Sequence, residues 1–130
     1  MHTSKLVVSV AVLIALALTA VGAQQPAFKR TVLQQVPISV PGREAVTAKA
    51  ELPAGVSAGR HTHPGEEVGY VLEGTVSLEI EGVAKTLKAG DAFLIPSGKP
   101  HNATNVGAGQ ATIIATYIVE KGKPLATPVQ

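Results

Sequence analysis

Residues 55–74 read GVSAGRHTHPGEEVGYVLEG, and the interpretation of the whole chain turns on them. His61, His63 and Glu67 fall close together around a Pro64-Gly65 pair. If His61 and His63 share a strand, their two-residue spacing sends both imidazoles to one face of a sheet. Pro64-Gly65 bends the chain and can return the Glu67 carboxylate toward them. Two ring nitrogens and an oxygen then converge, and His101 is the imidazole that a suitable scaffold would add.

The flanking sequence predicts that scaffold. Thr31 to Val40 is rich in Val and Ile, is bounded by Pro37 and Pro41, and reads as an edge-like strand, because proline cannot donate to a ladder. From Arg43 the pattern is period two, with Val46, Ala48, Ala50 and Leu52 alternating against Thr47, Lys49 and Glu51. Pro53 to Gly59 is a loop. Val68 to Leu72 is apolar, and Val76, Leu78 and Ile80 alternate with polar residues. Glu81-Gly82 marks a tight hairpin into Val83 to Leu87. Ala92 to Ile95 is a short apolar strand, Pro96 to Pro100 turns the chain just before His101, and Ala111 to Val119 is apolar on both faces, as a central strand requires. No stretch beyond the N-terminal segment holds a helical period. Short strands with regular turn signals predict an all-β sandwich or barrel.

Composition narrows the function. The 130 residues allow one domain, with eleven Lys and Arg against nine Asp and Glu and a formal charge of +2. These charges are scattered, so neither a nucleic-acid footprint nor a membrane-binding patch is present. Phe28, Tyr70, Phe93 and Tyr117 are the only aromatic residues, too few for a base-stacking platform. The absence of cysteine excludes disulfides and a lipidated anchor. Lys5, the uncharged run Leu6 to Val21 and the small residues ending at Ala23 read as a secretory signal peptide over 1–23, which would place the mature protein in the periplasm or outside the cell. The alternative is a retained membrane anchor, although the run falls just short of the roughly 20 residues that a span needs. Residues 24–30 read as a flexible lead-in, 31–119 as the domain and 120–130, with Pro124 and Pro128, as an extended tail.

From Gly55 to Gly74 the spacing is G-x5-H-x-H-x3-E-x6-G, and from Gly90 to Asn105 it is G-x5-P-x-G-x2-H-x3-N. This pair of patterns resembles the two sequence motifs of the cupins at every specified position. The resemblance implies a single-domain jelly-roll barrel in which His61, His63, Glu67 and His101 bind one divalent metal. The donor chemistry agrees, since three imidazoles and a carboxylate suit a borderline first-row ion such as Fe, Mn, Ni, Co, Cu or Zn. Four such ligands leave two octahedral positions open on Fe, Mn, Ni or Co, whereas on Zn they close a tetrahedral, structural site.

Four further residues are weaker candidates. Tyr70 would donate a hydrogen bond into the cavity or simply pack. Glu66, adjacent to Glu67, points the other way on an extended strand and is a solvated or supporting carboxylate. Arg60 would steer an anionic substrate or face outward, and Asn105 closes the second motif and would satisfy backbone groups in a turn. The glycines answer backbone demands rather than chemistry.

Two functional classes follow. The first is an exported metal-dependent enzyme acting on a small enol, phenolic or carboxylate chelate, with a dioxygenase favoured over an isomerase or lyase. The second is a non-catalytic module that binds a metal or a small ligand. A jelly roll without metal would require the four ligands to be accidental. Pairing of two copies along the Thr31 to Val40 edge is a further expectation; nucleic acid is not an expected partner, nor is the membrane once the signal is removed.

Overall fold

A computed structural model describes residues 27–130. The signal peptide or anchor expected over 1–23, and the first part of the lead-in, lie outside the described residues. Within them every element is a strand, and all ladders are antiparallel.

The first sheet is built on β2 (Arg43–Leu52) and β9 (Ala111–Glu120), which pair along their whole length from Arg43↔Glu120 to Leu52↔Ala111. Their inward positions, Val46, Ala48, Ala50 and Leu52 against Ile113, Ala115, Tyr117 and Val119, are all buried. The alternation in β2 is therefore one face of a sheet turned to a core. β1 (Lys29–Pro37) adds to the free edge of β2, while β4 (Gly65–Glu73) and β7 (Ala92–Ile95) complete the order β1-β2-β9-β4-β7. As its apolar faces predicted, β9 is the central strand.

The second sheet has the order β10-β3-β8-β5-β6, from β3 (His61–Thr62), β5 (Thr75–Ile80), β6 (Val83–Lys88), β8 (His101–Asn105) and β10 (Thr127–Pro128). Val76, Leu78 and Leu87 turn their side chains onto the first sheet, and each fully buried aliphatic side chain there contributes about 1.5–3 kcal/mol. The hairpin between β5 and β6 turns at Glu81 and Gly82, whose φ values of 49° and 85° are both positive, as a two-residue turn matched to strand twist requires. Among the described residues no ladder joins the two sheets, so the jelly roll is two facing sheets rather than a hydrogen-bonded closed barrel.

Both ends of the domain differ from expectation. The first strand begins at Lys29 rather than Thr31 and ends at Pro37, because β2 runs on to Leu52 and offers Ala50 and Glu51 as partners to Arg30 and Lys29. Arg30 thus leaves the lead-in and enters the sheet, opposite Ala50 on the inward face. The tail is not merely extended, since Thr127 and Pro128 pair with Thr62 and His61. Strands this short carry no periodicity, and only the partner reveals them.

Candidate metal centre

His61 opens β3 and stands directly opposite His101 at the start of β8, so both imidazoles leave the second sheet on the same face. His63 lies just beyond β3, where the chain crosses between sheets, and Glu67 sits on β4 of the first sheet. The expectation of one strand bearing both His61 and His63 is corrected accordingly. The two imidazoles meet because the chain changes sheets between them. Gly65 permits this crossing, since a Cβ there would lie 1.8 Å from the Ile118 carbonyl oxygen.

All four side chains are buried, between 2% and 8% exposed. Each imidazole Nδ1 meets a main-chain carbonyl: His61 with Gly59 at 2.6 Å, His63 with Leu125 at 2.6 Å and His101 with Lys99 at 2.8 Å. A carbonyl only accepts, so each Nδ1 carries the proton and each Nε2 presents a lone pair. Those lone pairs face one another. The Nε2 atoms of His61 and His63 are 3.2 Å apart, and Glu67 Oε2 lies 3.2 Å from Nε2 of both His63 and His101. The contacts to Glu67 are close but misaligned for hydrogen bonding, and Glu67 Oε2 and His101 Nε2 have no hydrogen-bond partner. Four acceptors converging without a proton between them repel, and a cation resolves the conflict. The ligating atoms of His61, His63 and His101 lie within 4.8 Å of one another and could hold a metal ion.

The electrostatics suit ligation. Burial opposes ionisation of Glu67, but once His101 and His63 carry a proton on Nε2 their hydrogen bonds and charges outweigh it and hold the carboxyl down at about 2. His61 is pushed down to about 4, first by burial and then by the charges of His101, His63 and Arg30, against the opposing Gly59 carbonyl. Both groups are ready as deprotonated ligands at neutral pH.

A cavity of about 30 Å³ adjoins the cluster, walled by apolar side chains such as Leu52, Phe93 and Ile113 and reached by Glu67, His101, Tyr117 and Arg30. That is room for about one water molecule. A wider mouth of about 240 Å³, lined by Phe28, Arg30, Arg60, His61, Ala126 and Pro128, shares Phe28, Arg30, Ala58 and His61 with it.

The weaker candidates divide. Tyr70 is 46% exposed on the outer face of β4, so its proposed hydrogen bond into the cavity is corrected: its position, odd against Glu67, turns it to solvent. Glu66 is exposed for the same reason. Arg60 is exposed at the rim, where its Nη1 donates to the Gln130 carbonyl at 3.3 Å. Asn105 is buried and serves backbone only: its Nδ2 donates to Leu52 O at 2.8 Å and Gly109 O at 2.7 Å, and its Oδ1 accepts from Gly107 N at 2.9 Å.

Two side chains at the site were missed in the sequence. Tyr117 is opposite Glu67 in the ladder and packs its ring, tilted by 58°, with its centre 4.5 Å from that of His63; burial and then the Glu67 charge push its phenol up. Its inward parity with Ile113 and Ala115 was the available signal. Arg30 had none, because its partner strand places it.

The comparisons with known proteins agree with this geometry. A family model described as cupin domain matches residues 48–117. HTH-type transcriptional regulator PuuR of Escherichia coli (strain K12) is 40% identical over 65 residues, half of this chain and 35% of that protein. The oxalate-binding protein of Thermotoga maritima is 36% identical over 73 residues, 55% of this chain and 60% of the relative. The chain thus spans less than two thirds of the length of either. Among solved structures, a conserved protein with a double-stranded β-helix domain from Klebsiella pneumoniae superposes with a TM-score of 0.66 at 20% identity, covering 82% of this chain and 90% of that one. A predicted oxalate decarboxylase from Thermotoga maritima superposes with a TM-score of 0.53 at 27% identity, covering 68% and 92%. The matched segment takes in more than half of the sequence, including His61, His63, Glu67 and His101, and the chain belongs to the cupin family.

Proposed function

We propose that this chain is an exported metal-binding cupin in which His61, His63, His101 and Glu67 hold one divalent first-row ion and present it to a small chelating acid, enol or phenol. The observation that carries the reading is the convergence of three Nε2 lone pairs and Glu67 Oε2 with no proton among them. When bound, the ion supplies Lewis acidity and coordination positions for a chelate. The protein's own share is orientation and exclusion. The three carbonyl contacts fix the ring tautomers, Tyr117 packs against His63, and Leu52, Phe93 and Ile113 keep water from the inner wall. Dioxygen-dependent conversion of an enolised or phenolic chelate is the enzymatic form of this reading.

A non-catalytic form is supported by the relative named for oxalate binding and by the small inner cavity, which leaves little space for a second reactant. The test is metal analysis of protein isolated from its own host, followed by oxygen-uptake measurements over a panel of enols, phenols and carboxylates. About one tightly held ion per chain, absent from His61→Ala and His101→Ala, supports the metal site; only trace metal in the unaltered protein refutes it. Oxygen uptake selects the enzyme, and chelate binding without consumption selects the binding module. Recovery from the periplasm or medium of a chain beginning at Gln24 supports export.

A further inference from the structure

Arg30 stands apart from the other lysines and arginines among the described residues. It occupies an inward position on β1 opposite Ala50, a residue small enough to leave space for its stem. Its guanidinium carbon lies 5.1 Å from the Phe28 ring centre and 5.7 Å from that of Tyr117, so two aromatic faces hold it. No carboxylate pairs with it among the described residues, and its Nε is buried without a hydrogen-bond partner. A buried donor left unpaired costs about 1–3 kcal/mol, which a ligand bearing an acceptor would recover.

The position of Arg30 shows where such a ligand would be. The residue lines both the inner cavity, with Glu67 and His101, and the outer mouth, with Arg60 and His61. The two pockets share His61 as well as Arg30, so a ligand that spans them lies against the Arg30 guanidinium. The mouth has two arginines and no acidic residue on its walls. Charge balance points the same way: a divalent ion on one carboxylate and three neutral imidazoles leaves a single positive charge, and Arg30 adds a second in a largely apolar pocket. A neutral chelate would leave that excess uncompensated.

We infer that Arg30 is the specificity-determining residue of this site and selects a small carboxylate anion, holding its oxygens in the guanidinium fork while the same molecule chelates at the His61, His63, Glu67 and His101 cluster. Arg60 at the rim attracts the anion, and Arg30 binds it. The inference rests on the metal reading above and narrows its substrate class from chelates in general to anionic ones. Guanidinium geometry favours a planar carboxylate over a point charge, so lysine is an incomplete substitute.

The test is calorimetric titration of Mn(II)-loaded protein with two probes, oxalate as the anionic chelator and oxamide as its neutral analogue, in the unaltered protein, Arg30→Gln and Arg30→Lys. Manganese affinity is measured separately on each. Arg30→Gln is expected to weaken oxalate by about 30-fold or more, as loss of one partner from a buried charge pair does, while manganese and oxamide binding stay unchanged. Arg30→Lys should fall between the two and guards against misfolding of the glutamine variant. Equal oxalate affinity in all three proteins, or no oxalate binding to the loaded unaltered protein, overturns the inference. If the unaltered protein takes up no manganese, the titrations are run with whichever of Fe(II), Co(II), Ni(II), Cu(II) and Zn(II) it does hold; if it takes up none of them, the metal reading fails by itself. Oxalate titration of the metal-free protein then decides the role of Arg30: binding lost in Arg30→Gln upholds it, and no binding overturns it.

Discussion

His63 Nδ1 donates to the main-chain carbonyl of Leu125, 2.6 Å away and 62 residues later in the chain. A segment with no recognisable pattern therefore sets the tautomer of a clustered imidazole in the first cupin motif. The same segment pairs through Thr127 and Pro128 with the two-residue strand that carries His61. The C-terminal tail is a supporting wall of the site.

Truncation after Lys123 should accordingly weaken metal binding by about 10- to 100-fold, the usual effect of losing a partner behind a ligating histidine. The long ladders of β2, β9 and β4 do not involve the tail, so the truncated protein should still fold. Metal titration with a competing chelator, alongside circular dichroism, checks this; unaltered affinity would remove the tail from the site.

Asn105→Ala should lower stability by about 2–3 kcal/mol while leaving metal stoichiometry intact. The change strips partners from the buried Leu52 carbonyl and from the part-buried contacts to the Gly109 carbonyl and Gly107 N–H. Urea unfolding and metal analysis together separate this role from ligation. A fall in metal content without loss of stability would contradict the assignment.

Gly69 faces inward opposite Phe93, and a Cβ at that position would lie 2.0 Å from the Phe93 ring. Gly69→Ala is expected to cost about 1–3 kcal/mol through overpacking. Because Phe93 lines the cavity, the substitution should also alter chelate binding. Combining it with Phe93→Leu should return part of the stability, measured as the coupling in a double-mutant cycle.

The metal-free protein should become less stable as the solution is acidified. His61, held down to about 4 from an ordinary 6.5, binds fewer protons folded than unfolded between those values, so stability is lost as pH falls from about 6.5 to about 4. Glu67, held down at about 2 from 4.5, extends the loss below pH 4.5. The charged groups acting on His61 are His101, His63 and Arg30, which all lower it further, and the opposing Gly59 carbonyl contact does not reverse the sign. Thermal melting across this range should show the decline, with a flatter slope above pH 4 in His61→Gln. A melting temperature that rises on acidification would contradict it.

The fold class and the inward turn of His61 and Glu67 were legible because both depend on local spacing, whereas His101 reaches them through the pairing of β3 with β8. Period-two alternation in β2 needs only its own residues to show which face is buried, and the turn chemistry of Glu81-Gly82 is local too. The parity that turns Glu67 inward turns Glu66 and Tyr70 outward, which is why one cavity candidate on that strand failed. By itself, then, the sequence determined an all-β domain and the histidine and glutamate spacing that a metal site requires. Tertiary structure alone decided what surrounds the ligands. Arg30 enters the cavity because β2 extends far enough to pair with it, Tyr117 stands beside Glu67 through the β4 and β9 register, and Leu125 reaches His63 from the end of the chain. Each of these depends on which distant strands pair and in what register, a long-range choice settled by burial of the facing sheets and not by any local run of residues.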